Sequence, residues 1–254
     1  MKSLSVCITT RNNLEYLKLC LRGLKKYSLP ETEILIHVDG STDGTIEWLK
    51  KSELTFSRSD WKGSYSGWNS AVSRASNPYI ILYSDDMFPA PEWDKNMLEW
   101  VREDRIIVPR LVEPSPGSYP PAYDCGRNSA SFDETKFVQY AKKISEKKLV
   151  VHTFGAFAMS VKHFRDVGGF DTRFDPVGVG SIDFIMTLSE RYGIKFYEAR
   201  DVLLYHFQCV AVSKISNKDE LDRRSVKRFE EKWGFGIGPA YQRLEERQNE
   251  LLGS

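Results

Sequence analysis

The stretch HVDGSTDGT, residues 37–45, follows a short apolar run and indicates the fold class. The run before it, Ile34, Leu35 and Ile36, has the apolar and β-branched character of a buried strand. The stretch itself holds two carboxylates, two glycines and three hydroxyl groups, which favour tight turns and the first positions of helices. The pattern therefore predicts a strand that ends at Asp39, a turn at Gly40, and a helix that begins near Asp43.

Strands and helices alternate along residues 1–112. LSVCITT (residues 4–10) is a β-rich run, and leucines at positions 14, 17, 21 and 24 follow it at helical spacing. EILIHVD, PYIILY and RIIVPRLV predict further strands, and helices are predicted over residues 66–76 and from Pro91 onward. This alternation is typical of βαβ units, so we predict an α/β fold with a mostly parallel central sheet flanked by helices.

The second half of the chain begins with a change in composition. Residues 113–128, EPSPGSYPPAYDCGRN, are rich in Pro, Gly and Ser and predict a long loop. Because long ordered loops often carry function, residues 119–128 are a candidate acceptor-binding or lid element. Helices are predicted over residues 134–147, 183–192 and 218–233, and the helical tail after them is a candidate surface for a homo-oligomer.

Composition and charge exclude several classes of protein. The 254 residues are 41% hydrophobic, which is enough for a large core. The 36 basic and 35 acidic residues argue against a general nucleic-acid or membrane-surface binder, which usually has a basic excess. The four cysteines form no CxxC pair, so neither zinc nor a disulfide framework is expected. With no signal peptide and no membrane-length apolar run, the sequence predicts a cytoplasmic protein with reduced thiols.

Polar clusters follow three of the predicted strands, and ligands of open parallel sheets bind at such ends. The clusters are TTRNN after the first strand, DGSTDGT after the second, and SDDM after PYIILY. Asp39 can accept a hydrogen bond from a base N–H or a ribose hydroxyl, although an ordinary turn is the alternative. Asp85 and Asp86 repel one another, and a divalent cation such as Mg²⁺ or Mn²⁺ relieves that repulsion. The alternative for this pair is a solvated acidic turn.

These segments together resemble a known enzyme family. VCITTRNN, VDGSTDGT, SAVSRA and YIILYSDDM resemble, in order and spacing, the inverting glycosyltransferases of family 2, which have the GT-A fold. GAFAMSVKHFRDVGGFD and FEEKWG resemble later elements of that family, so the resemblance covers residues 4–234. It implies a single GT-A-like, Rossmann-related domain. Residues 1–112 would bind the nucleotide-sugar and metal, and residues 113–254 would supply the acceptor contacts and the catalytic base.

The resemblance also implies roles for individual residues of the donor site. Ser84 stands where the family has an Asp that contacts ribose, Asp85 is the middle residue of that motif, and Asp86 is the implied metal ligand. His206 matches a histidine that completes the site for Mn²⁺ or Mg²⁺, with a packed core histidine as the alternative. The remaining implied donor contacts are Thr9, Thr10 and Arg11 at the base and ribose, Asp39 at the base, and Lys62 near the pyrophosphate.

The implied catalytic base departs from the family pattern. Gly180 and Ser181 occupy the place where the family often has an acidic pair, and the nearest acid is Asp183. We predict that Asp183 deprotonates the acceptor hydroxyl for in-line attack on the anomeric carbon. The alternatives are that Asp183 caps or orients its helix, that Asp175 or Asp171 serves as base, or that the base is absent.

The resemblance implies a metal-dependent transfer of one sugar, with inversion, from a nucleotide-sugar, with UDP as the expected nucleotide. The acceptor would be a glycan, a lipid-linked sugar or a protein. Trp61, Trp68 and Trp93 are candidates to stack on sugars, and for Trp93 we expect a core position instead. Two alternatives are a non-catalytic sugar- or nucleotide-binding protein and a nucleotidyltransferase. The second would need a glycine-rich loop after the first strand, which TTRNN lacks.

Overall fold

The computed structural model describes residues 2–52, 54–115, 121–151, 157–176, 178–208, 210 and 214–253. Its strands are β1 (Leu4–Thr10), β2 (Glu33–Asp39), β3 (Phe56–Ser59), β4 (Tyr79–Ser84), β5 (Met87–Pro89), β6 (Arg105–Val112), β7 (Leu149–Val151), β8 (Ala158–Ser160) and β9 (Lys195–His206). Its helices are α1 (Leu14–Tyr27), α2 (Thr45–Lys51), α3 (Ser64–Val72), α4 (Trp93–Trp100), α5 (Glu134–Ile144), α6 (Val161–Asp166), α7 (Gly180–Tyr192), α8 (Lys218–Trp233) and α9 (Ile237–Gly253), with a 3-10 turn at Thr172–Phe174.

These strands form one mixed sheet in the order β3-β2-β1-β4-β8-β6-β9-β5, and β7 also pairs with β9. Strands β3, β2, β1 and β4 are parallel, as are β6 and β9, while β8, β5 and β7 pair antiparallel with their neighbours. This confirms the predicted α/β fold. Because β8 lies between β4 and β6, strands from both sides of Val112 share one sheet and one domain.

The side chains of β1 point alternately into two cores, one on each face of the sheet. Val6 and Ile8 pack with Leu17 of α1 on one face, whereas Cys7 packs with residues near α3 and α7 on the other. This alternation is the two-residue period of a strand buried on both faces. Trp93 is fully buried in the first core, as expected, and its indole nitrogen donates to Ser28.

Several elements differ from their predicted limits; α5 ends at Ile144 and α7 begins at Gly180, for example, and the differences at α3 and β9 affect the site. Helix α3 begins at Ser64 rather than residue 66 and ends at Val72. The run KFYEA continues as β9 to His206, a strand of 12 residues. Strand β5 pairs with the end of β9 so that Met87 is opposite His206, which brings this histidine beside the acidic pair after β4. Part of the predicted loop, residues 116–120, and Cys209 lie outside the described residues. Among the helices that the structure describes, none is both long enough and apolar enough to span a bilayer.

Candidate functional site

The three polar clusters meet at one edge of the sheet, where β1, β2 and β4 end side by side. Thr9 is in register with His37 of β2 and with Ser84 of β4, so the residues that follow each strand are neighbours. The parallel pairing therefore brings together Thr10, Asp39 and Asp85, which are far apart in the sequence. Their convergence is the geometry that a parallel sheet offers to a ligand.

Asp39 organises the loop that follows β3. The residue is only 3% exposed, its Oδ1 accepts from the Lys62 amide at 2.8 Å, and its Oδ2 accepts from the Gly63 amide at 2.8 Å. The Ser59 hydroxyl also donates to Oδ1, at 3.3 Å. A carboxylate has about four lone-pair sites, so one on Oδ2 remains available to a ligand. Lys62 thus contacts Asp39 through its backbone amide, while its side chain is exposed.

Gly63 lies where the Asp39 loop approaches a distant segment. Its φ is +131°, and a Cβ placed there would lie 2.3 Å from Oδ1 of Asp175. Asp175 in turn accepts from the Tyr65 and Ser66 amides, both at 2.9 Å, and from the Ser66 hydroxyl at 2.5 Å. Asp175 is therefore the N-terminal cap of α3, supplied from a part of the chain more than a hundred residues away. This contact explains why α3 begins at Ser64.

Asp171, the other alternative base, also has a structural contact set. Its carboxylate accepts from the amide and the guanidinium of Arg173 and caps the 3-10 turn. The hydrogen bonds from Arg173 lower the pKa of Asp171 to about 2, against the opposing effect of burial. Such a carboxyl is a weak proton acceptor near neutral pH.

Thr9 and Thr10 point to opposite sides of β1. Thr9 packs against α3, and a Cβ on Gly67 would lie only 2.1 Å from its hydroxyl oxygen. Thr10 faces the acidic pair and donates to Oδ2 of Asp85 at 2.6 Å. Only a glycine at position 67 lets α3 approach the end of β1 this closely.

Asp43 connects the two turns at this edge. Its carboxylate accepts from the Leu14 amide at 2.9 Å and from the Thr45 hydroxyl at 2.5 Å, so it caps α1 as well as the start of α2. Asn13 stands at the N-cap position of α1, but its side chain makes no cap bond. Asn12 instead accepts from the Thr42 amide at 2.7 Å. The two turns thus hold each other in place.

Asp85 is a buried carboxyl group with neutral partners. It is 4% exposed, and Asn13 Nδ2 donates to its Oδ1 at 2.9 Å, beside the bond from Thr10. Burial, and then the charge of Asp86, raise the pKa of Asp85 to about 7. Ser84, which precedes it, ends β4 and is half-buried. Ionisation of Asp85 beside Asp86 is therefore unfavourable unless a cation is present.

Asp86 lies beside His206, and a third residue orients the histidine. His206 Nε2 is 3.7 Å from Asp86 Oδ1, while its Nδ1 is 2.7 Å from Oε1 of Glu113. Gln208 Nε2 holds the other oxygen of Glu113 at 2.9 Å. Burial opposes a charge on the imidazole, but the bond to Glu113 and the charge of Asp86 outweigh it and raise the pKa of His206. Glu113 lies at the end of β6 in the Pro-rich segment, and no local pattern had marked it.

Two of these residues, Asp86 and His206, lie close enough together to share one divalent cation. Two ligands that are each about 2.1 Å from one ion can stand up to about 4.2 Å apart, so the separation of Asp86 and His206 is compatible with a shared ion. With a proton on Nδ1 donated to Glu113, Nε2 keeps its lone pair toward Asp86, the usual arrangement of a metal-binding histidine. Within the described residues, no group of three or more His, Cys, Asp or Glu side chains is arranged to hold an ion.

Arg11 and Trp61 form a flat surface beside Asp39. The guanidinium carbon of Arg11 lies 4.0 Å from the centre of the Trp61 ring, and the indole is 42% exposed. Arg11 Nε is buried and has no hydrogen-bond partner among the described residues. An open cleft of about 630 Å³ adjoins Trp61 and is lined by Gly40, Ser41 and Arg58 among others. Stacked cationic and aromatic groups of this kind accept another planar ring.

Asp183, the predicted base, lies away from solvent on the first turn of α7. It is 2% exposed, and its carboxylate accepts from Trp233 Nε1 at 2.8 Å and from Lys232 Nζ at 2.7 and 2.9 Å. Both partners belong to the FEEKWG segment at the end of α8. In this arrangement the carboxylate joins α7 to α8. Its assignment as base stays a prediction.

The sequence and the structure were each compared with known proteins. The model of glycosyl transferase family 2 matches residues 5–168, well over half of the chain. The chain belongs to glycosyltransferase family 2. The match covers β1 to α6 and therefore includes Asp39 and the acidic pair, while Asp183 and His206 follow it. No curated protein sequence matches the chain significantly.

Solved structures of glycosyltransferases share the fold. Residues 1–349 of S. aureus TarS align with a TM-score of 0.60 at 14% identity, covering 92% of this chain and 72% of that one. The same fragment in complex with UDP aligns with a TM-score of 0.57 at 16% sequence identity, and the coverage of the two chains is the same. GalNAc-T7 with UDP, GalNAc and Mn²⁺ aligns with a TM-score of 0.59 at 13% sequence identity, covering 81% of this chain and 43% of that one. These likenesses confirm the predicted GT-A-like fold, and the family match makes this protein a glycosyltransferase.

The structure brings most of the predicted donor residues of this family 2 enzyme to one edge of the sheet. Thr10, Asp39, Asp85, Asp86 and His206 converge there, and Arg11 lies over Trp61 beside them. Asp183 lies in the α7–α8 contact instead. The residues that sequence reasoning missed are Glu113, Asn13 and the partners of Asp183, because each acts through a contact that is distant in the chain.

Proposed function

We propose that this glycosyltransferase moves one sugar, with inversion, from a nucleotide-sugar to an acceptor hydroxyl, with Mn²⁺ or Mg²⁺ bound at the donor site. The observation that carries the proposal is the meeting of Asp86 and His206 at the carboxyl end of β4, with Glu113 orienting the histidine. UDP is the first nucleotide to test, since one structural relative was solved with UDP and another with UDP and Mn²⁺.

The nucleoside would bind between β1, β2 and the loop after β3. The Oδ2 atom of Asp39 has a lone-pair site for a base N–H, and the Arg11–Trp61 surface offers a plane on which the base can stack. Arg11 Nε, which has no hydrogen-bond partner in the described part of the chain, gives a further donor at this place. Residues 1–112 would therefore supply most of the donor contacts.

Asp86 and His206 would hold the cation, with Asp85 next to them and the donor diphosphate supplying further oxygen ligands. The chemistry that a divalent ion supplies here is neutralisation of the charge on the diphosphate. Residues 113–254 contribute His206 and Glu113 to this site, so the two parts of the chain both build it. Inversion requires that the acceptor hydroxyl attack the anomeric carbon from the face opposite the leaving group.

The contacts of Asp183 support an anchoring role, which is the alternative to a base. Both carboxylate oxygens already accept bonds from Lys232 or Trp233, and the group is buried. A base role requires that Asp183→Asn abolish transfer while nucleotide binding persists. An anchoring role requires that the same variant keep transfer at temperatures well below its unfolding transition.

The first experiment is thermal unfolding with UDP, GDP, CDP and ADP, each with and without Mn²⁺. A ligand that binds only the folded protein stabilises it by about 2.7 kcal/mol at a concentration a hundredfold above its Kd. We expect a metal-dependent shift with one nucleotide, and its loss in Asp86→Ala. Glu99→Ala, a change in a surface ion pair on α4, is the control that should keep the shift. No shift with any nucleotide would contradict the proposal.

A non-catalytic binding protein is the second candidate, and the absence of acids at Gly180 and Ser181 favours it. Incubation with UDP-sugars and Mn²⁺, followed by measurement of released UDP, separates the two. Release that disappears in Asp86→Ala supports transfer or donor hydrolysis. Nucleotide binding without any release, with a panel of sugars and added acceptors, supports the binding protein.

A further inference from the structure

Lys214 lies at the acidic end of the donor site although it belongs to the segment between β9 and α8. Its Nζ donates to the Asn12 carbonyl at 2.8 Å and to Oδ1 of Asn13 at 3.1 Å. Both acceptors belong to the turn between β1 and α1. Asn13 in turn donates to Asp85 at 2.9 Å, so a single amide separates the lysine from the buried carboxyl group.

The ammonium group of Lys214 can donate one hydrogen bond more than the two that it makes with Asn12 and Asn13. A protonated lysine has three N–H donors, and two of them are engaged by Asn12 and Asn13. Both acceptors are neutral, and Lys214 forms no salt bridge in the part of the chain that the structure describes. The residue is also exposed. A third N–H therefore remains at the edge of the site, and the positive charge of Lys214 acts on the nearby Asp85 carboxyl group, whose pKa it lowers against the larger effect of burial.

We propose that Lys214 binds the terminal phosphate of the donor diphosphate and stabilises it as the leaving group. This inference rests on the proposed function. In the transfer, a bond forms between the acceptor oxygen and the anomeric carbon, and the bond from that carbon to the phosphate oxygen breaks. The bonding electron pair stays on the phosphate oxygen, and the acceptor proton passes to a base. Lys214 keeps its proton and donates to the new negative charge.

The arrangement requires no movement of the lysine, because the bonds to Asn12 and Asn13 fix its position before the ligand arrives. Lys62, the lysine that the resemblance implied for the pyrophosphate, lies instead in the loop held by Asp39. Lys214 is held beside Asn13, which donates to Asp85, so its ammonium group lies on the acidic side of the site.

The test compares UDP with UMP, because only UDP has the second phosphate. Affinities of both for the full chain are measured by calorimetry with Mn²⁺, for the wild type, Lys214→Met, Lys214→Arg and the control Lys227→Met on the surface of α8. If another nucleotide gives the largest stabilisation, its diphosphate and monophosphate replace UDP and UMP. We expect Lys214→Met to weaken UDP binding about tenfold and UMP binding less than about twofold. Lys214→Arg should recover part of the difference.

Equal losses for UDP and UMP in Lys214→Met would overturn the inference, since they would mean that the lysine only holds the turn between β1 and α1. Unchanged affinities for both would overturn it as well. In either case wild-type binding of UDP leaves the proposed function intact. A wild type that binds neither nucleotide would overturn both. Unfolding temperatures of the variants, measured without nucleotide, detect any general loss of folding.

Discussion

At the scale of single residues, ionisation of the Asp85 carboxyl group makes the stability of the protein depend on pH. Its pKa is 3.8 in an unfolded chain and about 7 in the folded one, because burial and then the Asp86 charge oppose ionisation. Its contribution to stability is therefore complete below about pH 4 and is lost as the pH rises through about 7. A bound cation would offset this loss, because it favours the charged form.

We therefore expect the unfolding temperature in EDTA to fall between pH 5 and pH 8 more steeply in the wild type than in Asp86→Asn, which lacks the repelling charge. Added Mn²⁺ should stabilise the wild type more at pH 8 than at pH 6, because metal ligands must be deprotonated. Scanning fluorimetry over this range measures both effects. Parallel curves for the two proteins would show that Asp85 does not titrate in this interval.

Glu113 orients His206, so removing the Glu113 carboxylate should weaken metal binding and leave nucleoside binding unchanged. We expect Glu113→Gln to weaken Mn²⁺ binding about 10- to 100-fold, the usual effect of losing such a partner. Titration of Mn²⁺ in the presence of UDP measures this. Glu103→Gln, beside His163 in another part of the molecule, is the matched control. Equal Mn²⁺ affinity in wild type and Glu113→Gln would exclude this orienting role.

At the scale of elements, α3 depends on a cap that comes from a distant segment. Asp175 accepts from two amides and one hydroxyl, and the single oxygen of an asparagine cannot replace both carboxylate oxygens. We expect Asp175→Asn to lower the free energy of unfolding by about 1–2 kcal/mol. Asp133, which caps α5 through one bond to the Lys136 amide, is the matched site, where Asn should cost little. Urea unfolding compares them, and equal losses would argue against the shared cap.

The local elements were largely predictable, and the contacts between them were not. The spacing of apolar residues places β1, α1 and β2 within a few residues, because periodicity is a local property. The start of α3 was missed because its cap lies in another segment. Glu113 was missed for the same reason, since its role depends on the pairing of β5, β6 and β9. Asp39 and the acidic pair were found because Asp39 is the last residue of a buried strand and the pair directly follows another.

At the scale of the whole molecule, the bond between Asp183 and Lys232 joins the first turn of α7 to the end of α8. Asp183 is buried and Lys232 is a third exposed, so solvent screens the pair in part. We expect Asp183→Asn and Lys232→Met each to destabilise the protein, and the double variant to lose about 1–2 kcal/mol less than the sum. Urea unfolding of the four proteins gives this coupling energy.

The surface pair Lys162–Asp166 on α6 is the control for that cycle, with an expected coupling of no more than about 0.5 kcal/mol. Transfer activity of Asp183→Asn, measured well below its unfolding temperature, then separates the two roles of this residue. Activity near that of the wild type agrees with an anchor. Complete loss of transfer, with normal stability and normal nucleotide binding, would restore Asp183 as the base.

The position of β8 between β4 and β6 has a consequence for synthesis on the ribosome. When β4 has emerged, its neighbour on one side is already made, but the strand for the other side begins only at Ala158. At about 5–20 residues per second, the nascent chain exposes the free edge of an apolar strand for several seconds. We therefore expect chains truncated before Ala158 to aggregate or to bind chaperones, whereas chains that include β8 can close the sheet.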